Sequence, residues 1–185
     1  MPTVRSVIAK VRGRTVFVWD ETKDRKLSVI RENLESVVND VLQEIKRRGG
    51  VKANRVNDAG PLIEHQLRNS LKDPDRPASG RFPDIPVDPK LTHEVPVDLE
   101  VKTILEGNES QAGRTFYLHP PLDYITRDSY ILIVTVMVRR YKNDRFIPIG
   151  ARIIDGSLVE VRFIKEYNAG NKAMTSRPAL SEWSL

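Results

Sequence analysis

FPDIPVDPKLTHEVPVDLEVKTI, residues 82–104, decides how the rest of the chain is read. Apolar and charged residues alternate through its second half. A strand's period of two sends Val95, Val97, Leu99 and Val101 to one face and Asp98, Glu100 and Lys102 to the other. If residues 82–88 pair antiparallel with 95–104 around DPKLTH, the midpoint falls near residue 92 and Asp84 stands opposite Glu100. Directly opposed residues are about 5 Å apart at Cα, close enough for two carboxylates to share one cation. Like charges that close raise each other's pKa unless a divalent metal lies between them, and hard oxygen ligands suit magnesium. Lys102, on the same face, would point at whatever that metal holds. Asp88 and Asp75 are alternative first acids, but Asp88 would pair nearer Pro96 and Asp75 belongs to a proline-broken loop. The competing explanation is a solvated edge-strand face on which Lys102 pairs across to Asp84.

Working outward, YILIVTVMV at 130–138 is the strongest strand, apolar and β-branched enough to be covered on both faces. TFYLH at 115–119 reads as a short strand. FIPIGARII and SLVEVRFI read as a hairpin turning at Asp155-Gly156, and the tail from Glu166 as polar and irregular. Upstream, Leu27, Ile30, Leu34, Val37, Val38, Val41, Leu42 and Ile45 recur every three or four residues, an amphipathic helix ended by Lys46-Arg47-Arg48-Gly49-Gly50. Its stripe suits core packing, and alternatively the seam of an oligomer. A shorter helix is expected at 61–72, with Pro61 in its first turn and Glu64 and Arg68 sharing a face. At the N-terminus, VRSVIAKV and TVFVW read as strands joined at Arg12-Gly13-Arg14. The expectation is one α/β domain over 1–185, a mixed central β-sheet flanked by helices.

Composition narrows the chemistry. The absence of cysteine excludes thiolate nucleophiles, disulfides and Cys-based zinc, and the three histidines are scattered. No apolar run approaches a membrane span, and Arg5, Lys10, Arg12 and Arg14 interrupt any signal-peptide core, so a cytoplasmic protein is expected. A net charge of +5 favours polyanionic partners.

Pro83-Asp84, a spacer and Glu100-Val101-Lys102 resemble the PD-(D/E)XK nuclease superfamily, the restriction-endonuclease-like proteins. Acid-any-Lys also occurs at Glu21-Lys23, Asp24-Lys26, Glu44-Lys46 and Asp88-Lys90, but only the copy at 100–102 lies in an apolar strand with an acid correctly placed upstream. The resemblance implies a restriction-endonuclease-like core and Mg²⁺-dependent hydrolysis of DNA phosphodiester bonds. It makes Asp84, Glu100 and Lys102 the catalytic set, with metal held by Asp84, Glu100 and the Val101 carbonyl, and Glu64 a secondary ligand candidate. Family habit further implies a type II restriction enzyme that cuts a short palindromic site in double-stranded DNA as a homodimer. A junction-resolving or repair nuclease of the same fold, and a non-catalytic nucleic-acid-binding module, remain alternatives. Arg81, Asn168, Asn171, Lys172 and Arg177 are the candidate DNA-contacting residues, by side-chain type.

Overall fold

A computed structural model describes residues 2–75, 83–108, 114–118, 125–142, 144–163, 167–170 and 177–185, with 114–118, 162–163 and 167–170 described as backbone only. The first element corrects the sequence expectation. Residues Val4–Arg12 form a helix, α1, not a strand. Its apolar positions 4, 7 and 8 follow a helical period and are buried, and both ends are capped. Thr3 and Ser6 cap each other's backbone N–H at 3.3 and 2.9 Å, and Gly13 closes the C-terminus in the left-handed region at φ 63°. Of TVFVW only Val16–Phe17, β1, is strand.

Helix α2, Arg25–Arg47, is capped by the Asp24 carboxylate, which accepts from Lys26 N at 2.9 Å. Leu27, Ile30, Leu34, Val38, Leu42 and Ile45 are its buried stripe, so core packing is the role this face takes. The chain leaves α2 through Gly49 and Gly50 into β2, Val51–Lys52, which pairs with the later strand β7, Arg145–Asp155. Gly50 has φ +84°, and a Cβ there would lie 2.3 Å from the Phe146 carbonyl oxygen. Gly50→Ala is therefore expected to cost more than the ~1–3 kcal/mol of a strained φ alone, because the β2–β7 pairing must shift as well. An unchanged urea midpoint for that variant would contradict this.

Helix α3 runs Val56–Leu71, starting five residues before the expected position, so Pro61 lies inside the helix instead of in its first turn. The chain then passes 72–73 and enters β3, Ile85–Pro86, which pairs antiparallel with β4, Val97–Leu105. The register Ile85↔Leu99 and Pro86↔Asp98 is the one the hairpin midpoint predicts. β3 is flanked on its other side, where Asp73 N donates to Pro86 O at 2.8 Å and Asp88 N to Leu71 O at 2.8 Å.

β6, Ser129–Tyr141, is the central strand, parallel to β4 and antiparallel to β7. Leu132, Ile133, Val134, Val136 and Val138 are fully buried, as a strand covered on both faces requires. One face carries Leu132, Val134 and Val136 against α2 and α3. The other carries Ile131 and Ile133 against Val4, Val7 and Ile8 of α1.

The expected hairpin at Asp155-Gly156 does not form. Asp155 instead caps a 3₁₀ turn, Gly156–Leu158, accepting from Ser157 N at 2.9 Å and Trp19 N at 3.1 Å. β7 takes β6 as its hairpin partner, while β8, Arg162–Phe163, pairs with β9, Tyr167–Gly170. β9 also pairs with β5, Arg114–Leu118, where the sequence predicts a strand. The tail is less irregular than expected, since β9 and β10, Ser181–Ser184, both pair, the latter on β7. The main sheet is thus ordered β10-β7-β6-β4-β3, a mixed sheet between helical layers.

Candidate active site

Strand alternation and the β3–β4 register build the site. Leu99 and Ile85 face α2 and α3, so Glu100 and its opposite number Asp84 face the other way, on the side of Ile104. Both acids are buried, Asp84 at 7% exposure and Glu100 at 1%. A solvated edge face does not describe this strand.

The Lys102 ammonium pairs with Glu100 Oε1. The Asp84 carboxylate faces the Val101 backbone N–H at 3.5 Å. Glu100 Oε2 is buried with no hydrogen-bond partner. Burial pushes the Glu100 carboxyl well above the usual range, Lys102 pulls it back, and the neighbouring Asp84 carboxylate pushes it up again. For Lys102, burial alone would lower the pKa, but Glu100 and Asp84 outweigh it and hold the ammonium above its ordinary value. The lysine therefore stays charged.

Glu64 reaches the same neighbourhood from α3. Burial raises its carboxyl first and Asp84 adds to this, while Arg68, with which it pairs, and Lys102 oppose the shift. Among the described residues, no three His, Asp or Glu side chains converge tightly enough to form a metal cluster by themselves.

Asp98, one pleat before Glu100, is buried at 9% exposure. Arg127 holds it, donating from one guanidinium nitrogen to Asp98 Oδ1 at 2.7 Å and to Val97 O at 3.1 Å. Sequence reading did not find Arg127, because it comes from the turn before β6 and nothing local marks it. Only the parallel pairing of β4 with β6 brings it to the start of the site strand.

Of the candidate DNA-contacting residues, Arg81, Asn171 and Lys172 lie outside the described residues, and Asn168 lies on β9, described as backbone only. Arg177 is engaged within the fold, donating to Leu158 O while its own carbonyl accepts from Arg152 at 2.8 Å. Asp75 sits in a turn where its N–H donates to Asp73 Oδ1 at 2.9 Å, and the Asp88 carboxylate caps the next turn, accepting from Lys90 N at 2.9 Å.

A mixed sheet flanked by helices in this order is a restriction-endonuclease-like core. The sequence is consistent with this at family level: residues 3–178 match the model of the type II restriction enzyme MjaV family, and the chain belongs to that family. It is 29% identical over 190 positions to the type II restriction enzyme MjaV of Methanocaldococcus jannaschii, an alignment covering 90% of this chain and 82% of that protein. No solved structure matches the chain. No helix among the described residues is long and apolar enough to cross a membrane.

Proposed function

We propose that this family member is a Mg²⁺-dependent endonuclease of the PD-(D/E)XK type that cuts a short palindromic site in double-stranded DNA as a homodimer. The observation that carries the reading is the buried pair Asp84 and Glu100, adjoining just beyond the Ile85↔Leu99 pairing, with Lys102 beside them and Glu100 Oε2 left without a partner. An unpartnered buried carboxylate oxygen costs about 1–3 kcal/mol or more, and like-charged neighbours add to the cost. A hard divalent cation removes both penalties, so the donor set fits magnesium.

Asp84, Glu100 and the Val101 carbonyl would hold the ion. When bound, magnesium supplies Lewis-acid polarisation of the scissile phosphate and lowers the pKa of an attacking water. The chain's own residues do the rest. The Lys102 ammonium, kept charged by the two carboxylates, orients the water and offsets negative charge growing on the phosphate oxygens. Its tether on Glu100 limits the positions it can take. Arg127, by gripping Asp98 and the Val97 carbonyl, steadies the start of the strand that carries the site. Glu64 is a further carboxylate close enough to influence Asp84 and Lys102, and is placed to adjust the charge of the site from α3.

The test is digestion of mixed-sequence plasmids with Mg²⁺, followed by sequencing of the fragment ends. Discrete fragments with one palindromic sequence at every end are expected. A uniform smear would replace the restriction reading with a non-specific nuclease, and a preference for branched DNA would favour a junction-resolving role. Intact DNA across many sequences would overturn the catalytic reading.

A further inference from the structure

The chain's positive charge is not spread evenly. The exit from α2, strand β2 and the tip of the β6–β7 hairpin come together at one end of the sheet. Arg145 donates to the Gly49 and Gly50 carbonyls at 3.3 and 3.1 Å, Ala53 N to Asp144 O at 2.8 Å, and Arg140 to Asn54 O at 2.8 Å. Segments 44–58 and 139–145, with Glu106, which Arg139 grips at 2.6 Å, contain nine Lys and Arg against four Asp and Glu. That surplus of five equals the net charge of the entire chain.

Local pairing does not cancel it. Glu44 serves both Arg47 and Arg48, at 2.7 and 2.5 Å, leaving one cation over, while Arg140 and Arg145 are bound to carbonyls and keep their charge. Lys52, Arg55, Arg140 and Lys142 are exposed, and Tyr141 beside them is 45% exposed. Cations at the end of α2 also complement its dipole, but that effect fades within the last turn and does not account for Lys52, Arg55, Arg140 or Lys142.

The patch wraps the end of the sheet: its α2, β2 and Arg140 part lies on the α2–α3 side, where Arg140 sits over the Phe146 ring, and among the described residues it meets the face of the candidate active site at the paired Glu106 and Arg139. Lys102 pairs in register with Thr135, and Leu105 with Val138, so Glu106 and Arg139 continue the face that carries Glu100 and Lys102. Glu106 lies four residues beyond Lys102, just past the end of β4, about 13 Å at ~3.3 Å per residue. A duplex rising ~3.4 Å per base pair covers that distance in about four base pairs.

We propose that this basic end of the sheet is a second contact surface for the phosphate backbone of duplex DNA, gripping it beyond the bond that is cut. The proposal rests on the DNA-cleaving reading above. Its contacts are electrostatic and carry no base information, so it supplies affinity and approach rate, not site choice.

The triple variant Lys46→Gln, Lys52→Gln and Lys142→Gln tests it in the full-length protein, with fluorescent duplexes of unrelated sequence titrated at several salt concentrations. Lys46 and Lys142 make no ion pair among the described residues, Lys142 sits over the exposed Tyr141 ring at 5.3 Å, and Lys52 makes one long contact to Asp144, at 3.5 Å, so their loss is expected to leave the fold in place. Affinity is expected to fall about tenfold or more on every duplex alike, and the salt slope to drop by about one for each lysine that met a phosphate. An unchanged slope and affinity, in a variant whose melting curve matches the wild type, would overturn the proposal while leaving the cleavage reading standing. Wild-type protein that binds none of the duplexes would remove both. A loss confined to one duplex sequence would also overturn it, because backbone contacts cannot discriminate sequences in that way.

Discussion

Glu100→Gln is expected to lower DNA cleavage about 10³-fold while leaving fold and DNA binding in place. Gln keeps the shape and volume of Glu at a position that is 1% exposed, so the packing around it survives. What it removes is one of the two carboxyl groups that adjoin at the end of the β3–β4 pairing. A metal held by such a pair contributes several kcal/mol to the transition state, and about 4 kcal/mol corresponds to a thousandfold in rate. DNA binding is expected to hold or tighten, since one charge repelling phosphate is gone. A second readout separates loss of metal from loss of chemistry. Mg²⁺ is expected to raise the melting temperature of the wild type by mass action and to have a much smaller effect on the variant. A variant that cleaves at the wild-type rate would remove Glu100 from the mechanism, and with it the central claim about the site.

Leu34→Ala is expected to destabilise the protein by about 2–5 kcal/mol, read as a drop in urea midpoint at unchanged slope. Leu34 is fully buried in the cluster that α2 forms with α3 and the sheet face of Leu132, Val134 and Val136. Leu34→Glu places a carboxylate with no partner in that cluster and is expected to abolish the cooperative fold. The distinction bears on assembly. Were this stripe an oligomer seam, Leu34→Glu would give a folded monomer with its site intact; burial inside the chain's own core leads to unfolding instead. Sedimentation and far-UV circular dichroism of the same variant tell these outcomes apart.

Parts of the fold were legible because the signal was local and periodic. α2 repeats its apolar residues over about five turns, β6 is apolar on both faces, and the β3–β4 hairpin has a turn at Asp88-Pro89-Lys90 that sets its midpoint. From that midpoint alone Asp84 falls opposite Glu100. The misreadings share a different cause. VRSVIAKV is short and β-rich in composition, yet its buried apolar residues stand at 4, 7 and 8, and spacing together with the Thr3 cap prevails over propensity. At Asp155-Gly156 a good hairpin dipeptide was overruled by side-chain bonds from Asp155 to Ser157 and Trp19, the latter 136 residues away in sequence.

The order of residues along 84–102 therefore determined which side chains share a face, since alternation and antiparallel register are properties of the backbone. How deeply that face is buried, that Lys102 grips Glu100 and not Asp84, and that Arg127 anchors the strand were decided by the tertiary fold. The burial and the Arg127 contact depend on segments distant in sequence, Arg127 lying 29 residues from Asp98. Desolvation, which raises Glu100 and leaves its second oxygen unpartnered, comes only from what packs above a residue, and a linear pattern carries no record of that.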